Sequence, residues 1–318
     1  MTVESEDGGP SPLRAGPFDE GLGPAATYFA YRGAGWIAEH LPLRAGDRVG
    51  ELLGRMFHRF DSRRREIVRR NLKRIAGEQG LDELVRSAFV SYAQYWLETF
   101  RLGRYSKQEL LDLVSFEPGS VEAMDKAFAQ GKGVLLLTGH IGVYDLGVAW
   151  VGARGWPFTT VAEVLRPRAL YEWFAGNRTR FGMDVIPARP GVLMNKVGAL
   201  FGKNAGIALL GDRDLTRRGI WVEFFGERTT LPASPALLAV RKKVPVVAGA
   251  MYRQAGGFHV HFEEVDYQLT GNAAVDLEDV AQKMAVALER LIRRAPEQWH
   301  VFSTNWPSDE PDLPPRGR

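Results

Sequence analysis

The spacing of apolar residues along the chain changes near residue 115. Before that point apolar residues recur every three or four positions, which is typical of amphipathic helices. The spacing predicts two helices between Ala26 and Phe60 with a break around Pro42–Asp47, a third from the capping pair Asp61-Ser62 through Ile75, and a fourth over Leu81–Arg101. We therefore expect the first hundred residues to be helical.

Beyond Ser115, short apolar runs alternate with helical segments. The predicted strands are Val134–Thr138, Phe158–Ala162, Asp184–Ile186, Gly206–Leu210, Pro245–Tyr252 and Phe258–Phe262. The predicted helices are Val121–Gln130, Gly142–Gly152, Arg168–Phe181, Val192–Gly202, Ser234–Lys242 and Asp276–Arg294. This alternation predicts an α/β fold, with a mainly parallel central sheet that carries helices on both faces.

Composition narrows the class of protein. The 318 residues include no cysteine, which excludes disulfides, a cysteine nucleophile and thiolate metal sites. The longest stretch without a charged residue is 12 residues, against the roughly 20 apolar residues that a membrane-spanning helix needs. The acidic start does not resemble a secretory signal. We expect disordered tails at 1–25 and 307–318 around one domain over 26–306, with a helical part (26–102) and an α/β part (103–306).

The charge is distributed unevenly. The formal net charge is +3, but the window Arg55–Arg74 carries +7 and the rest of the chain −4. Basic amphipathic helices are typical of membrane-surface binding, so we predict that residues 26–102 face an anionic membrane. The alternative is a solvated basic helix. No nucleic-acid module or stacking aromatics accompany the cluster, so no nucleic-acid partner is expected. The predicted membrane-binding residues are Arg55, Arg59, Arg63, Arg64, Arg65, Arg69 and Arg70.

The first candidate for chemistry follows the predicted strand Val134–Thr138. Ligands of open α/β sheets bind beyond the carboxyl ends of the strands, and His140 stands there with Asp145 five residues later. Residues i and i+5 lie about 140° apart on a helix, so cooperation would place His140 in the loop and Asp145 in the first turn. The carboxylate would then orient the imidazole as a general base. The alternative is a histidine that packs against the helix start.

Two further segments concentrate charge after predicted strands. Asp212, Arg213, Arg217 and Arg218 follow Gly206–Leu210 and precede a helix start, which suits a phosphate, whereas the alternative is a salt-bridged turn. Glu163 and Arg178 follow Phe158–Ala162, and their alternative is an ordinary charged surface. These segments are the candidate substrate-binding regions.

Two other histidines offer a weaker signal. His259 and His261 share one face of a predicted strand, but the spacing supplies no third ligand for zinc. We therefore predict no metal site.

Several segments resemble the bacterial lipid A biosynthesis acyltransferase family. They are HIGVYD, GDRDLTRRGIWVEFFGERTTLPASPALLA and PEQWHVF, together with RRNLKR and SYAQYW. PFTTVAEVLRP and RDLTRRG are closest to the actinobacterial branch, the phosphatidylinositol mannoside acyltransferases, and the resemblance runs from about Tyr28 to Trp306.

The resemblance implies a glycerol-phosphate-acyltransferase-like fold and transfer of a fatty acyl group from acyl-CoA to a mannose hydroxyl of a mannosylated phosphatidylinositol. It implies no cofactor beyond that co-substrate, and a monomer attached peripherally to the cytoplasmic face of the cell membrane. His140 takes the role of general base and Asp145 that of its charge partner. Glu163 and Arg178 match charged residues of the acceptor or active site, and Asp212 matches a glutamate.

The mechanism that this resemblance implies is direct transfer, without a covalent acyl-enzyme. From their position alone, the backbone N–H groups at the start of the predicted helix Gly142–Gly152 are the candidates to stabilise the oxyanion. Three departures from the family pattern stand out: Val143-Tyr144 where Asn-Trp is usual, Asp212 for glutamate, and Ser234 for glycine. The alternatives are an acyltransferase for another glycolipid such as a lipid A precursor, a hydrolase of acyl-CoA, and a non-catalytic lipid-binding relative.

Overall fold

The computed structural model describes residues 16–188, 196 and 199–309. Most of the two predicted tails, and most of the predicted helix Val192–Gly202, lie outside these residues. The first helix begins at Leu22, inside the segment that the sequence assigned to the N-terminal tail.

Ten helices and nine strands are labelled here in chain order within the described residues. The helices are α1 (Leu22–His40), α2 (Leu43–Phe60), α3 (Ser62–Ala76), α4 (Leu81–Arg101), α5 (Lys107–Asp112), α6 (Ser120–Ala129), α7 (Tyr144–Ala153), α8 (Arg168–Thr179), α9 (Ala233–Lys242) and α10 (Ala273–Arg294). The strands are β1 (Val114–Phe116), β2 (Val134–Thr138), β3 (Phe158–Ala162), β4 (Asp184–Pro187), β5 (Gly206–Leu210), β6 (Ile220–Phe224), β7 (Glu227–Leu231), β8 (Val246–Gln254) and β9 (Gly257–Glu264).

Seven strands form the central sheet in the order β1-β9-β8-β2-β5-β3-β4. All neighbouring pairs are parallel except β8 and β9, which form an antiparallel hairpin. This arrangement confirms the predicted α/β fold with a mainly parallel sheet.

Strands β6 and β7 form a separate antiparallel hairpin that the sequence reading missed. Its turn is Phe225-Gly226, and both residues have positive φ, at 53° and 76°. Positive φ at both central residues is what a tight type I′ hairpin turn requires.

Both faces of the sheet are buried. Successive side chains of a strand point to opposite faces, and β2 shows this clearly. Leu135 and Leu137 pack in one core with α9 and α10, whereas Val134 and Leu136 pack in a second core with α6 and α7. Both cores exclude water, which confirms the prediction of helices on both faces.

The loop between β2 and α7 runs against β8. The N–H of Gly142 donates to the carbonyl of Gln298 at 2.7 Å, and that of Val143 donates to the carbonyl of Met251 at 2.8 Å. Gly142 has φ of 59°, and a Cβ there would lie 2.0 Å from the Met251 oxygen. Since these two amides bond outside the helix, α7 begins at Tyr144, two residues after the predicted start.

A buried arginine joins the turn between α1 and α2 to α4. Arg101 is fully buried and donates to the carbonyls of Ala38 (3.0 Å) and Leu41 (3.2 Å). Its counter-ion is Glu98 on the same helix, at 3.3 Å. Burial raises the pKa of Glu98, against the opposing effect of the Arg101 charge. The break between the first two helices is only Leu41-Pro42, shorter than the predicted Pro42–Asp47, and these hydrogen bonds hold it to α4.

Candidate active site

His140 and Asp212 meet because their strands are neighbours in register. Thr138 at the end of β2 is paired with Leu210 at the end of β5. Each candidate residue lies two positions beyond its member of this pair, at the carboxyl edge of the sheet. This is the edge at which α/β proteins bind their ligands.

The Asp212 carboxylate receives three hydrogen bonds. Oδ1 pairs with Nδ1 of His140 at 2.8 Å. Oδ2 accepts from the backbone N–H of His140 and from Nε1 of Trp299, each at 2.8 Å. Asn305 donates to the Asp212 carbonyl at 3.0 Å, and a Cβ on Gly139 would lie 3.0 Å from the carboxyl carbon. The aspartate is therefore fixed on every side.

These contacts determine the charge state and the tautomer of the pair. Burial raises the pKa of Asp212, but the charge and hydrogen bonds of His140, with the Trp299 hydrogen bond, outweigh burial and hold it below its usual value. An ionised carboxylate only accepts, so the neutral imidazole carries its hydrogen on Nδ1. No described residue hydrogen-bonds to Nε2, and the His140 side chain is 16% exposed. Nε2 is thus the basic atom of the site.

The structure corrects the expected partner of His140. His140 does stand in the loop and Asp145 in the first turn of α7, but the hydrogen bonds of Asp145 lead elsewhere. Asp145 accepts from the Tyr95 hydroxyl at 2.7 Å and from Nε of Arg178 at 3.1 Å, and a second Arg178 nitrogen also contacts it. The carboxylate that orients His140 is that of Asp212, because β5 brings it to the Nδ1 side of the ring.

Arg178 and Asp145 form a largely buried ion pair. Burial lowers the pKa of Arg178, but the Asp145 carboxylate outweighs burial and raises it. Burial first, and the Asp145 charge second, raise the pKa of the Tyr95 hydroxyl well above its usual value, so Tyr95 stays a hydrogen-bond donor. Two of the predicted site residues, Asp145 and Arg178, therefore do lie together, next to the loop that holds His140.

The other predicted binding residues separate into different environments. Glu163 lies exposed after β3, at the same edge of the sheet. Nε of Arg213 is buried without a hydrogen-bond partner among the described residues, and Arg218 is exposed. Arg217 donates to the carbonyls of Asn305 and Thr304, at 3.1 and 3.4 Å, and so supports the loop. The three arginines after β5 thus differ in their burial and in their contacts.

Sequence reasoning missed the contributions of α4 and of the segment 299–305. Tyr95, Trp299 and Asn305 hold the two aspartates. The backbone N–H of His300 donates to the carbonyl of His140 at 2.7 Å, and its Nε2 pairs with Ser91 at 2.9 Å. The segment PEQWHVF resembles the family, but its sequence pattern did not indicate that any of its residues contacts the site.

The predicted membrane-binding arginines lie on two helices. Arg55 and Arg59 are on α2, and the other five are on α3. On α3, ion pairs join Arg64 to Asp61, Arg69 to Asp82 and Arg70 to Glu66, and Arg65 donates to the carbonyl of His58 at 2.6 Å.

Within the described ranges, no group of His, Cys, Asp or Glu side chains is arranged to hold a metal ion. Across the same residues, every helix is too short or too polar to span a lipid bilayer.

Fold and site together define an α/β protein with a histidine–aspartate pair at the carboxyl edge of a mainly parallel sheet. The family model described as bacterial lipid A biosynthesis acyltransferase matches residues 22–308. The chain therefore belongs to this family of acyltransferases.

The similar proteins include two phosphatidylinositol mannoside acyltransferases. That of Mycolicibacterium smegmatis is 32% identical over 262 residues, which are 78% of this chain and 81% of the relative. That of Mycobacterium tuberculosis is 31% identical over 294 residues, 89% and 90% of the two chains. A lipid A biosynthesis acyltransferase of Haemophilus influenzae is 23% identical over 265 residues, 81% and 80% of the two chains.

Proposed function

We propose that this protein transfers a fatty acyl group from acyl-CoA to a mannose hydroxyl of a phosphatidylinositol mannoside. The observation that carries the proposal is the hydrogen bond between His140 Nδ1 and Asp212 Oδ1, which leaves Nε2 as a base at the open edge of the sheet. The names of the two mycobacterial relatives support the choice of acceptor.

The proposed reaction is a direct transfer. Nε2 of His140 removes the proton of the acceptor hydroxyl, and the resulting alkoxide attacks the thioester carbonyl carbon. The tetrahedral intermediate collapses, and its carbon–sulfur bond breaks. The CoA thiolate leaves and accepts the proton that the imidazolium took from the acceptor hydroxyl. Asp212 stabilises the imidazolium while the proton is on the ring. General base catalysis of this kind contributes about 10²- to 10⁴-fold.

The amides of α7 are the proposed donors to the oxyanion. The N–H groups of Gly142 and Val143 are occupied by Gln298 and Met251, so they do not serve. No side chain caps the helix, which leaves the first-turn amides of Tyr144, Asp145 and Leu146 as the donors in this proposal.

The acceptor is a lipid, so the proposal includes peripheral attachment to an anionic membrane surface at the cytoplasmic face. We further propose that the protein acts as a monomer, without a cofactor and without a nucleic-acid partner. Glu163, Arg213 and Arg218 are the proposed contacts to acceptor or donor, since they carry charge at or beside the same edge of the sheet.

The test compares His140→Ala and Asp212→Asn with a histidine control, His259→Ala, which lies on β9 outside the site. We expect the two site variants to lose about 10²- to 10⁴-fold in turnover, because the base or its orientation is lost, while the control stays near wild type. Palmitoyl-CoA and a panel of mannosylated and non-mannosylated lipids, read by mass spectrometry, identify the acceptor.

Three outcomes would contradict the proposal. Near-normal turnover in His140→Ala would exclude the general base. Equal acylation of a lipid A precursor would favour the second candidate, which the Haemophilus relative supports. Release of CoA thiol at the same rate with and without acceptor would indicate a hydrolase.

A further inference from the structure

Helix α2 packs on α4 through glycines. Gly46, Gly50 and Gly54 recur at intervals of four and are all buried. A Cβ at Gly54 would lie 2.4 Å from the Cα of Val90, and one at Gly50 would lie 2.8 Å from Cγ of Gln94. The missing side chains therefore let the two helix backbones approach closely, and from residue 44 to 60 the fully buried residues of α2 are these three glycines.

The large apolar residues of α2 consequently face away from the protein. Leu52, Met56 and Phe60 form a stripe at intervals of four and are 60%, 46% and 79% exposed. Leu53 and Phe57 lie beside them and are also exposed. A surface helix normally buries its apolar stripe. Helix α2 instead buries glycine and exposes these five residues, which we call the α2 apolar face.

A basic stripe runs beside the α2 apolar face. Arg44, Arg48, Arg55 and Arg59 recur at intervals of four, seven and four, which places them on one side of the helix. Arg55 is paired with Glu51, whereas Arg44, Arg48 and Arg59 have no ion pair with any residue that the structure describes. This differs from α3, where Arg64, Arg69 and Arg70 are paired with acids of the protein.

We propose that α2 lies flat in the interface of an anionic bilayer, with the α2 apolar face in the acyl region and Arg44, Arg48 and Arg59 at the lipid phosphates. This inference rests on the proposed function, which requires access to a lipid acceptor. The 18 residues of α2 give an embedded helix about 27 Å long. The charge of the basic stripe complements anionic headgroups, and apolar burial supplies attachment that charge alone does not. Of these two helices, α2 thus carries the attachment, whereas Arg64, Arg69 and Arg70 of α3 make ion pairs within the protein.

The experiment measures partition of the full-length protein onto vesicles by sedimentation, without any substrate. In the triple variant Leu52→Gln, Met56→Gln and Phe60→Gln, we expect binding to vesicles with anionic lipid to fall at least about tenfold, because the embedded apolar area is lost. Its control is Leu215→Gln with Val275→Gln, two residues that are similarly exposed elsewhere. All these side chains are exposed, so thermal unfolding should be unchanged.

A second pair of variants separates the two helices by charge. Replacing Arg44, Arg48 and Arg59 by Gln should remove the preference for anionic over neutral vesicles and the weakening of binding by salt. Replacing Arg64, Arg69 and Arg70 by Gln should leave both unchanged.

Two results would overturn the proposal. One is unchanged vesicle binding in the apolar triple variant. The other is a wild-type dimer, seen by light scattering, that the triple variant converts to a monomer while vesicle binding persists, since the face would then bind a second copy of the chain. Vesicle binding involves no turnover, so the two proposals can fail separately. Loss of vesicle binding with continued acylation of a detergent-dispersed acceptor would reject membrane attachment through α2 alone. Vesicle binding without acylation would reject the proposed function alone.

Discussion

At the residue scale, the two buried aspartates near the site have different partners. The Asp212 carboxylate accepts hydrogen bonds from His140 and Trp299, so the loss of its charge affects the imidazole. Asp145 neutralises a permanent cation, Arg178, whose side chain is 17% exposed. Asp212 therefore orients the proposed base, His140, whereas Asp145 neutralises the buried charge of Arg178.

We predict that Asp145→Asn destabilises the protein by about 3 kcal/mol, because it leaves the Arg178 guanidinium without a counter-ion in a largely buried position. The matched control is Asp279→Asn, which breaks the exposed pair with Lys283 and should cost less than about 1 kcal/mol. Urea unfolding followed by circular dichroism measures both. Adding Arg178→Met to Asp145→Asn should restore part of the loss, and equal costs for the two single variants would contradict the assignment.

The candidate residues could be predicted from sequence, but their pairing could not. His140, Asp145 and Asp212 stand after apolar runs, a local signal. Whether His140 pairs with Asp145 or with Asp212, 72 residues away, depends on β2 and β5 being neighbours in register. Sequence spacing alone favours the near residue, and only the sheet selects the distant one. Trp299 and Asn305 carry no charge and left no signal.

At the element scale, local patterns predicted the bounds of several elements residue for residue. Helix α4 and strands β2, β3 and β5 begin and end where the apolar periodicity indicated. The hairpin β6–β7 was missed because its aromatic residues and Arg228, together with the arginines that precede it, suggested a ligand site. In the structure one of them, Arg228, instead lies over the Trp221 ring at 5.4 Å.

The glycines of α2 allow a test at this scale. Gly54→Ala should cost about 1 to 3 kcal/mol, because its Cβ meets the backbone of α4 at Val90. Gly33→Ala on α1 is the matched control, since no atom lies near its Cβ position, and it should stabilise by about 0.5 to 1 kcal/mol. Thermal unfolding measures the two shifts. Two shifts of the same sign would show that the close approach of α2 and α4 does not determine this packing.

At the scale of the whole molecule, α3 and α4 share one hydrophobic core with the central strands β2 and β5, and α3 also contacts the hairpin and the C-terminal segment. Arg74 of α3 donates to Glu227 of β7 at 2.7 Å and pairs with Asp309 at 3.0 Å. Asn71, also of α3, donates to the carbonyl of Val301 at 2.9 Å. His300 is buried. Its side chain bonds to Ser91 of α4 and its backbone N–H to the carbonyl of His140, so its protonation would disturb contacts that join α4 to the His140 loop.

His300 should make global stability depend on pH. Burial lowers its pKa from 6.5 to about 3, with a smaller effect of His140. The unfolded chain then binds a proton that the folded protein excludes, so stability falls as the pH drops from about 6.5 toward 3. We expect a loss of about 2 to 3 kcal/mol between pH 6.5 and pH 4.5 from this residue.

Urea unfolding at a series of pH values measures this contribution. The variant His300→Gln keeps a polar partner for Ser91 and does not titrate, so its stability should fall less over the same range. Parallel curves for wild type and variant would show that His300 does not carry the effect.

The position of Trp299 and Asn305 in the chain also constrains when the protein becomes competent during its synthesis. Asp212 and His140 leave the ribosome long before the residues that immobilise the aspartate and cover it. A nascent chain that has folded β2 and β5 but lacks the segment 299–305 has a solvent-open aspartate and a histidine loop without its backbone donor, His300. The base is therefore complete only after the segment 299–305 has been synthesised, so a chain that stops before this segment lacks the site even when β2 and β5 are present.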